Sequence, residues 1–170
     1  MDAYLAVASK RELRTYDARP LDGDAERRIL EAGRTTGSSK NRQARRFVVL
    51  RSAELVERAA GCVYAPDNVR GAALVVAIVA GGKGPTAFDA GRAAQNMMLA
   101  ASNDGIGSCP NGIADAEALR EIVGHEESEQ VATVLTFGYP VTPRDPARLT
   151  ADEWIARADR RPYEEIVQER

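Results

Sequence analysis

The 170-residue chain is poor in cysteine, histidine and excess charge of either sign. Its two cysteines, Cys62 and Cys109, cannot build a disulfide framework. Its one histidine, His125, leaves no closely spaced Cys and His set for zinc, so no metal site is expected. A Ser-His-Asp triad would need His125 as its base. That residue stands between Gly124 and the pair Glu126-Glu127, just past a predicted helix end, where a solvated surface histidine is the plainer reading. Lys and Arg number 23 against 25 Asp and Glu, a net charge of −2, which argues against bulk electrostatic binding to nucleic acid or membrane. No apolar run reaches the roughly 18 residues that a membrane span needs. The opening MDAYLAVASKREL carries Asp2 and lacks a basic flank followed by a long apolar stretch, so no secretory signal is expected. Reduced thiols in the cytoplasm are the corresponding expectation. No internal repeat, low-complexity tract or linker stands out, and the length suits one domain over residues 1–170.

What is present reads as an α+β chain. Asp2 caps a short helix through residue 9, and residues 24–33 suit a second, with Ala25, Ile29, Leu30 and Ala32 facing inward. Residues 35–43 are polar and carry Gly37, which predicts a loop, and Phe47–Leu50 follows as a strand. Ser52 caps a helix ending at Ala60. The near-continuous apolar run Ala72–Ala80 predicts a central strand buried on both faces. Ala90, Ala93, Ala94, Met97, Met98 and Ala101 recur at three- and four-residue spacing, which predicts a helix over 89–102. Residues 105–112 read as a rigid, turn-rich loop, 115–123 as a helix and 131–137 as a strand. From Pro140 onward, Pro140, Pro143 and Pro146 interrupt regular structure, Thr150 and Glu153 form a capping box, and the aromatic and aliphatic residues of this tail need a surface, on this chain or a partner's.

Two sets of residues invite a chemical reading. Gly82-Lys83-Gly84-Pro85-Thr86-Ala87 superficially matches the dinucleotide turn GxGxxA. With Pro85 inside it, and a helix predicted to begin only at Asp89, a connecting loop is the better interpretation. The second set is dispersed: Lys10/Arg11/Arg14, Ser38/Ser39/Asn41/Gln43 and Arg160/Arg161. Each alone reads as a solvated surface. Together they supply what a phosphorylated planar cofactor requires, guanidinium groups for phosphate and amides and hydroxyls for a ring edge.

These segments resemble the FMN-dependent nitroreductase family along nearly the whole chain. Lys10-Arg11-Glu12-Leu13-Arg14-Thr15-Tyr16 resembles the family's opening Arg-Arg-Ser-Ile-Arg-x-Phe/Tyr. Ser38–Gln43 with Arg46–Val49 resembles Ser-Ser-x-Asn-x-Gln-Pro-Trp-x-Phe-Val-Val, and Asp89–Ala101 resembles Asp-x-Gly-x-Ala-x-Gln-Asn followed by a leucine-rich stretch. Gly138-Tyr139-Pro140 and Arg160–Val167 resemble two late signatures. The resemblance implies a nitroreductase-like fold, a mixed and mostly antiparallel sheet flanked by helices, in an intertwined homodimer whose arms (here residues 140–170) wrap the partner. It implies FMN between the subunits, with Lys10, Arg11 and Arg160 on its phosphate and Arg161 as an alternate. Arg14 would lie near ring N1–O2. Ser39, Asn41 and Gln43 would contact phosphate, ribityl chain or ring edge, and Pro110, Asn111 and Gly112 would lie near N5.

By that resemblance the chain is an NAD(P)H-dependent flavin oxidoreductase. It would pass electrons from NADH or NADPH through flavin N5 to a nitroaromatic, quinone or similar small acceptor. Flavin chemistry of another kind (dehydrogenase, dehalogenase or flavin-fragmenting) and a flavin-binding dimer without turnover are the alternatives. No side chain is assigned as catalytic, because the cofactor carries the chemistry. Three departures stand out: Glu12 replaces the family's serine, Ala44-Arg45 replaces Pro-Trp, and little chain separates 72–80 from 89–102. The last implies an open pocket or a different substrate. Cys109 reads as a small buried filler rather than a redox group.

Overall fold

The computed structural model describes every residue except Met1 and His125. The interpretation of His125 therefore lies outside the described residues. The chain divides into two compact units. One joins the residues up to Lys10 with Asp145–Arg170, and the other is Arg11–Arg144.

The larger unit is built on a four-stranded sheet, β1 (Arg45–Leu50), β2 (Leu74–Gly81), β3 (Gly107–Asn111) and β4 (Glu129–Gly138), in the order β1-β2-β4-β3. All three strand pairings are antiparallel. One parallel bridge, Glu12 to Ser108, adds the segment after Arg11 beside β3. Strand β2 is buried over seven of its eight residues, because side chains on both of its faces are covered. Leu74, Val76, Ile78 and Ala80 point to one layer, where α2 (Gly23–Arg34) contributes Ala25 and Ile29 and α5 (Thr86–Asn103) contributes Ala94, Met97 and Met98. Val75, Ala77 and Val79 point to the other, formed by α3 (Ala53–Ala60), α4 (Pro66–Arg70) and α6 (Ala116–Val123). Period-two alternation thus gives a helix–sheet–helix sandwich.

Caps legible in the sequence do their expected work. Asp2, Ser52 and Asp115 accept first-turn N–H groups of α1 (Ala3–Ser9), α3 and α6. Three readings are corrected. Residues 107–111 are a strand, although Gly, Ser, Cys and Pro are poor strand formers. Pairing with β4 overrides their propensity, and Pro110 is tolerated near the sheet's edge. Helix α5 begins at Thr86, not Asp89, with Asp89 in its first turn. The glycine turn therefore does run into a helix. It is still not a dinucleotide site of the parallel βαβ type, since β2 pairs antiparallel on both sides.

In the smaller unit, α1 packs against α7 (Ala151–Ala156) and the 3-10 turn Pro146–Arg148. The Thr150–Glu153 capping box is formed, and Trp154 Nε1 donates to Pro146 O at 2.8 Å. A last short helix, α8 (Tyr163–Ile166), leaves Tyr163 and Ile166 exposed. Among the described residues no helix is long and apolar enough to cross a membrane.

Candidate functional site

The predicted cofactor residues of the larger unit gather at two places. The first is the β3 edge. Leu13 N donates to Ser108 O at 3.0 Å, and this pairing brings Arg11 and Arg14 alongside the strand that ends in Pro110 and Asn111. Arg14, Pro110 and Gly112 are exposed and Arg11 is half-buried. The approach is close enough to need glycine. A Cβ on Gly138 would stand 2.7 Å from Tyr16 Cγ, and one on Gly107 would overlap the Leu13 side chain.

Asn111 is not available as a side-chain ligand. It is 5 % exposed, and its Nδ2 donates to Val134 O, Cys109 O and Thr136 Oγ1 at 3.1, 3.2 and 3.3 Å. Its Oδ1 accepts from Asn68 Nδ2 at 3.0 Å. Thr136 Oγ1 also lies 3.0 Å from the Tyr16 hydroxyl, which donates to Leu13 O at 2.6 Å. A buried polar chain, Asn68–Asn111–Thr136–Tyr16, therefore ties α4, β3, β4 and the Arg11–Tyr16 segment together. Burial pushes the Tyr16 phenol well above its ordinary value, with the charges of Cys109 and Glu12 adding to the rise and the Thr136 hydrogen bond opposing it. The sequence hid this chain except at one point: Thr136 is a polar residue between Leu135 and Phe137 in an apolar strand. Tyr64 is also at this edge. Its N–H donates to Gly112 O at 3.1 Å and its ring packs against that glycine while remaining exposed.

The second place is the loop before β1. Asn41 and Gln43 are exposed and Ser39 is half-buried. Ser39 N donates to Asp89 Oδ2 at 2.9 Å, and Gln43 N to Ser38 Oγ at 2.9 Å. Lys40, Asn41 and Gln43 all have φ of 52°, in the left-handed region. Arg45, where the resembled family has tryptophan, turns its guanidinium onto the end of α2. Its Nη2 donates to Gly33 O at 3.3 Å and to Thr36 O, so a cation meets the negative end of that helix. Asn96 of α5 donates to Thr36 Oγ1 at 2.8 Å.

Within one chain these two places do not meet. Arg45 is level with Ala80 on one edge of the sheet, whereas Ser108 is level with Phe137, and hence Leu74, on the other. Strand spacing and rise per residue put the two corners on the order of 25 Å apart. Lys10, Arg160 and Arg161 belong to the smaller unit. Lys10 follows α1 and is half-buried, Arg160 is exposed, and Arg161 Nε pairs with Glu165 Oε2 at 3.0 Å. Cys109 is 2 % exposed and Cys62 is 4 % exposed, which makes both thiols buried fillers of the core. No group of three or more His, Cys, Asp and Glu among the described residues could hold a metal ion.

The sequence profile of the nitroreductase family matches residues 66–139, from α4 through β4. This stretch carries the family's sequence pattern. Likeness to nitroreductases extends on both sides of it. A curated relative from Archaeoglobus fulgidus, named "Putative NADH dehydrogenase/NAD(P)H nitroreductase", is 26% identical over 167 residues, 87% of this chain and 96% of its own length. A "putative nitroreductase in complex with FMN" from Desulfovibrio desulfuricans superposes with a TM-score of 0.84 at 24% identity, over 100% of this chain and 98% of that one. The NADPH:FMN oxidoreductase of Vibrio harveyi, solved with NAD+, superposes with a TM-score of 0.82 at 21% identity, over 96% of this chain and 75% of its own. The fold is therefore the nitroreductase fold from end to end.

Proposed function

We propose that this chain is an FMN-dependent oxidoreductase that passes electrons from NADH or NADPH to a small acceptor such as a nitroaromatic or a quinone. One observation carries the reading. The motif residues emerge as donors at two corners of a fold shared with an FMN-bound protein. The donor set suits FMN: guanidinium groups for a phosphate dianion, and exposed amides and a hydroxyl for the ribityl chain and ring carbonyls.

Arg11, Lys10 and Arg160 would hold the phosphate, with Arg161 as an alternate. Arg14 would set a positive charge beside ring N1 and O2, where negative charge accumulates on reduction. Ser39, Asn41 and Gln43 would orient the ribityl chain or ring edge. The backbone of Pro110–Gly112, braced by the buried Asn111 side chain, would approach N5. When bound, FMN supplies hydride acceptance and release at N5, so no dedicated acid or base is required of the chain. If both corners hold one FMN, their separation within a chain supports a homodimer in which one chain's β3 edge would face the other's loop 38–43. Residues 140–170, with Tyr163 and Ile166 exposed, would form the arm around that partner. We place the enzyme in the cytoplasm, acting on small molecules and not on nucleic acid or membrane.

The test is spectroscopic. The purified chain, with FMN added where needed, should be yellow and dimeric, and NADH or NADPH should bleach the flavin band anaerobically. A chain that takes up no FMN ends the reading. Bound flavin that neither nicotinamide reduces would demote it to a flavin-binding dimer.

A further inference from the structure

The loop Ser38–Gln43 holds three non-glycine residues, Lys40, Asn41 and Gln43, at φ of 52°. One such residue is ordinary, but three in four positions form a conformation that the surroundings must impose. Two of the three, Asn41 and Gln43, are exposed and are the residues assigned to the flavin. The loop's internal bonds are short-range, including Asn41 N to Ser38 O at 2.9 Å, Arg42 N to Ser39 O at 3.1 Å and Gln43 N to Ser38 Oγ at 2.9 Å. They close turns without fixing the loop to the core. Among the described residues, Arg42 packs against Gly84, and a long-range hydrogen bond from the loop backbone runs to helix α5. Asp89, 8 % exposed and fifty residues away in sequence, accepts the Ser39 N–H through Oδ2 at 2.9 Å. Its Oδ1 lies 3.8 Å from Arg92 Nη1. A carboxylate in the first turn of an 18-residue helix is also favoured by the helix dipole, so the anchor is held where it stands.

We propose that Asp89 is a positioning residue. Its buried carboxylate anchors the loop through Ser39 N–H and so sets the outward presentation of Asn41 and Gln43 to the ligand. The inference rests on the flavin reading for the identity of the ligand, but not for the anchor itself. Lys40 and Arg42 are both exposed and lie inside the loop, so trypsin reports its opening without any cofactor.

The experiment follows tryptic cleavage after Lys40 and Arg42 by mass spectrometry in the full chain, and FMN affinity by flavin fluorescence. Asp89→Ala should speed cleavage at both bonds about tenfold and weaken FMN about tenfold. Asp89→Asn keeps an acceptor in the same position and should restore slow cleavage and most of the affinity. Unchanged cleavage in Asp89→Ala overturns the anchor. Fast cleavage with unchanged FMN affinity overturns the positioning role, as does failure of Asp89→Asn to rescue. If Asp89→Ala does not fold, Ser39→Pro removes the same N–H from the loop side, with Ser38 already extended as a residue before proline must be. It too should be cut faster, and a cleavage rate equal to that of the unaltered chain counts against the anchor. A parent chain that takes up no FMN ends the functional reading, while the cleavage comparison still decides the anchor.

Discussion

The two segments assigned to the flavin are built in opposite ways. Residues 107–112 sit on a strand whose one amide side chain is buried and fully engaged, so this edge can offer little except backbone. Residues 38–43 are a tensioned loop whose amide side chains are exposed and whose backbone is pinned from below. The first should lose stability when its buried Asn111 is altered. The second should lose ligand while staying folded. A polar residue therefore has a different meaning at each: Asn111 is architecture, and Asn41 is recognition on the flavin reading proposed above, though both stand in glycine-bearing polar runs.

The sharpest break comes at Asn111. Asn111→Leu fills similar volume but takes the side-chain partner in the core from Asn68 Nδ2 and Val134 O, while Cys109 O keeps only the Thr136 hydroxyl as a side-chain partner. Stability should fall by about 3 kcal/mol, read by urea denaturation. A loss under about 1 kcal/mol would mean that the buried chain is dispensable and that the contrast between the segments fails.

The same chain can be cut at its other end. Tyr16→Phe removes the hydroxyl that joins Leu13 O to Thr136 and should cost about 1 to 2 kcal/mol. It also has a pH signature. The folded phenol holds its proton above the ordinary tyrosine value of about 10, whereas the unfolded chain releases it there. Above that pH the native state binds more protons than the unfolded one, so stability falls as pH rises, by up to about 1.4 kcal/mol per pH unit. Below about pH 10 this contribution is fully present. Tyr16→Phe should flatten the alkaline limb, and parallel curves for the two proteins would remove Tyr16 from the account.

These contrasts also explain what the sequence could disclose. Helix caps at Asp2, Ser52, Asp115 and Thr150 are local chemistry and were readable. The apolar run through β2 was readable as a central strand because burial on both faces leaves a continuous pattern. Strand β3 was not, since Gly107, Ser108 and Pro110 read as turn and only the partner β4 makes them extended. The start of α5 at Thr86 is hidden because Pro85 reads as a barrier, whereas proline is tolerated at a helix entrance. Polar clusters at Arg11–Arg14 and Ser39–Gln43 stand out in the sequence. Their placement at opposite corners does not, because strand order is set by pairing between residues far apart in the chain. Asp89 was visible as a helix-start residue, but its bond to Ser39 spans fifty positions.

At loop 38–43 the expected effects on folding shrink. Gln43→Ala should leave stability within about 0.5 kcal/mol, since the side chain is exposed and its backbone N–H still reaches Ser38 Oγ. FMN affinity should fall about fivefold, by titration of flavin fluorescence, for the loss of one polar contact. A destabilised variant with unchanged affinity would make this loop architectural, like β3.

The smallest effect isolates the tension itself. Lys40 is exposed, has φ of 52° and is not among the assigned donors. Glycine adopts that φ without the steric penalty of a Cβ, roughly 1 kcal/mol, but loses more backbone entropy on folding, by somewhat less. Lys40→Gly should therefore raise stability by a few tenths of a kcal/mol, about 1 to 2 °C in Tm for a chain of this length, and leave FMN affinity unchanged. A fall in Tm would show that the lysine side chain makes a contribution larger than the backbone relief. A fall in affinity at constant Tm would instead mean that residue 40 belongs with Asn41 and Gln43 on the recognising face of the loop.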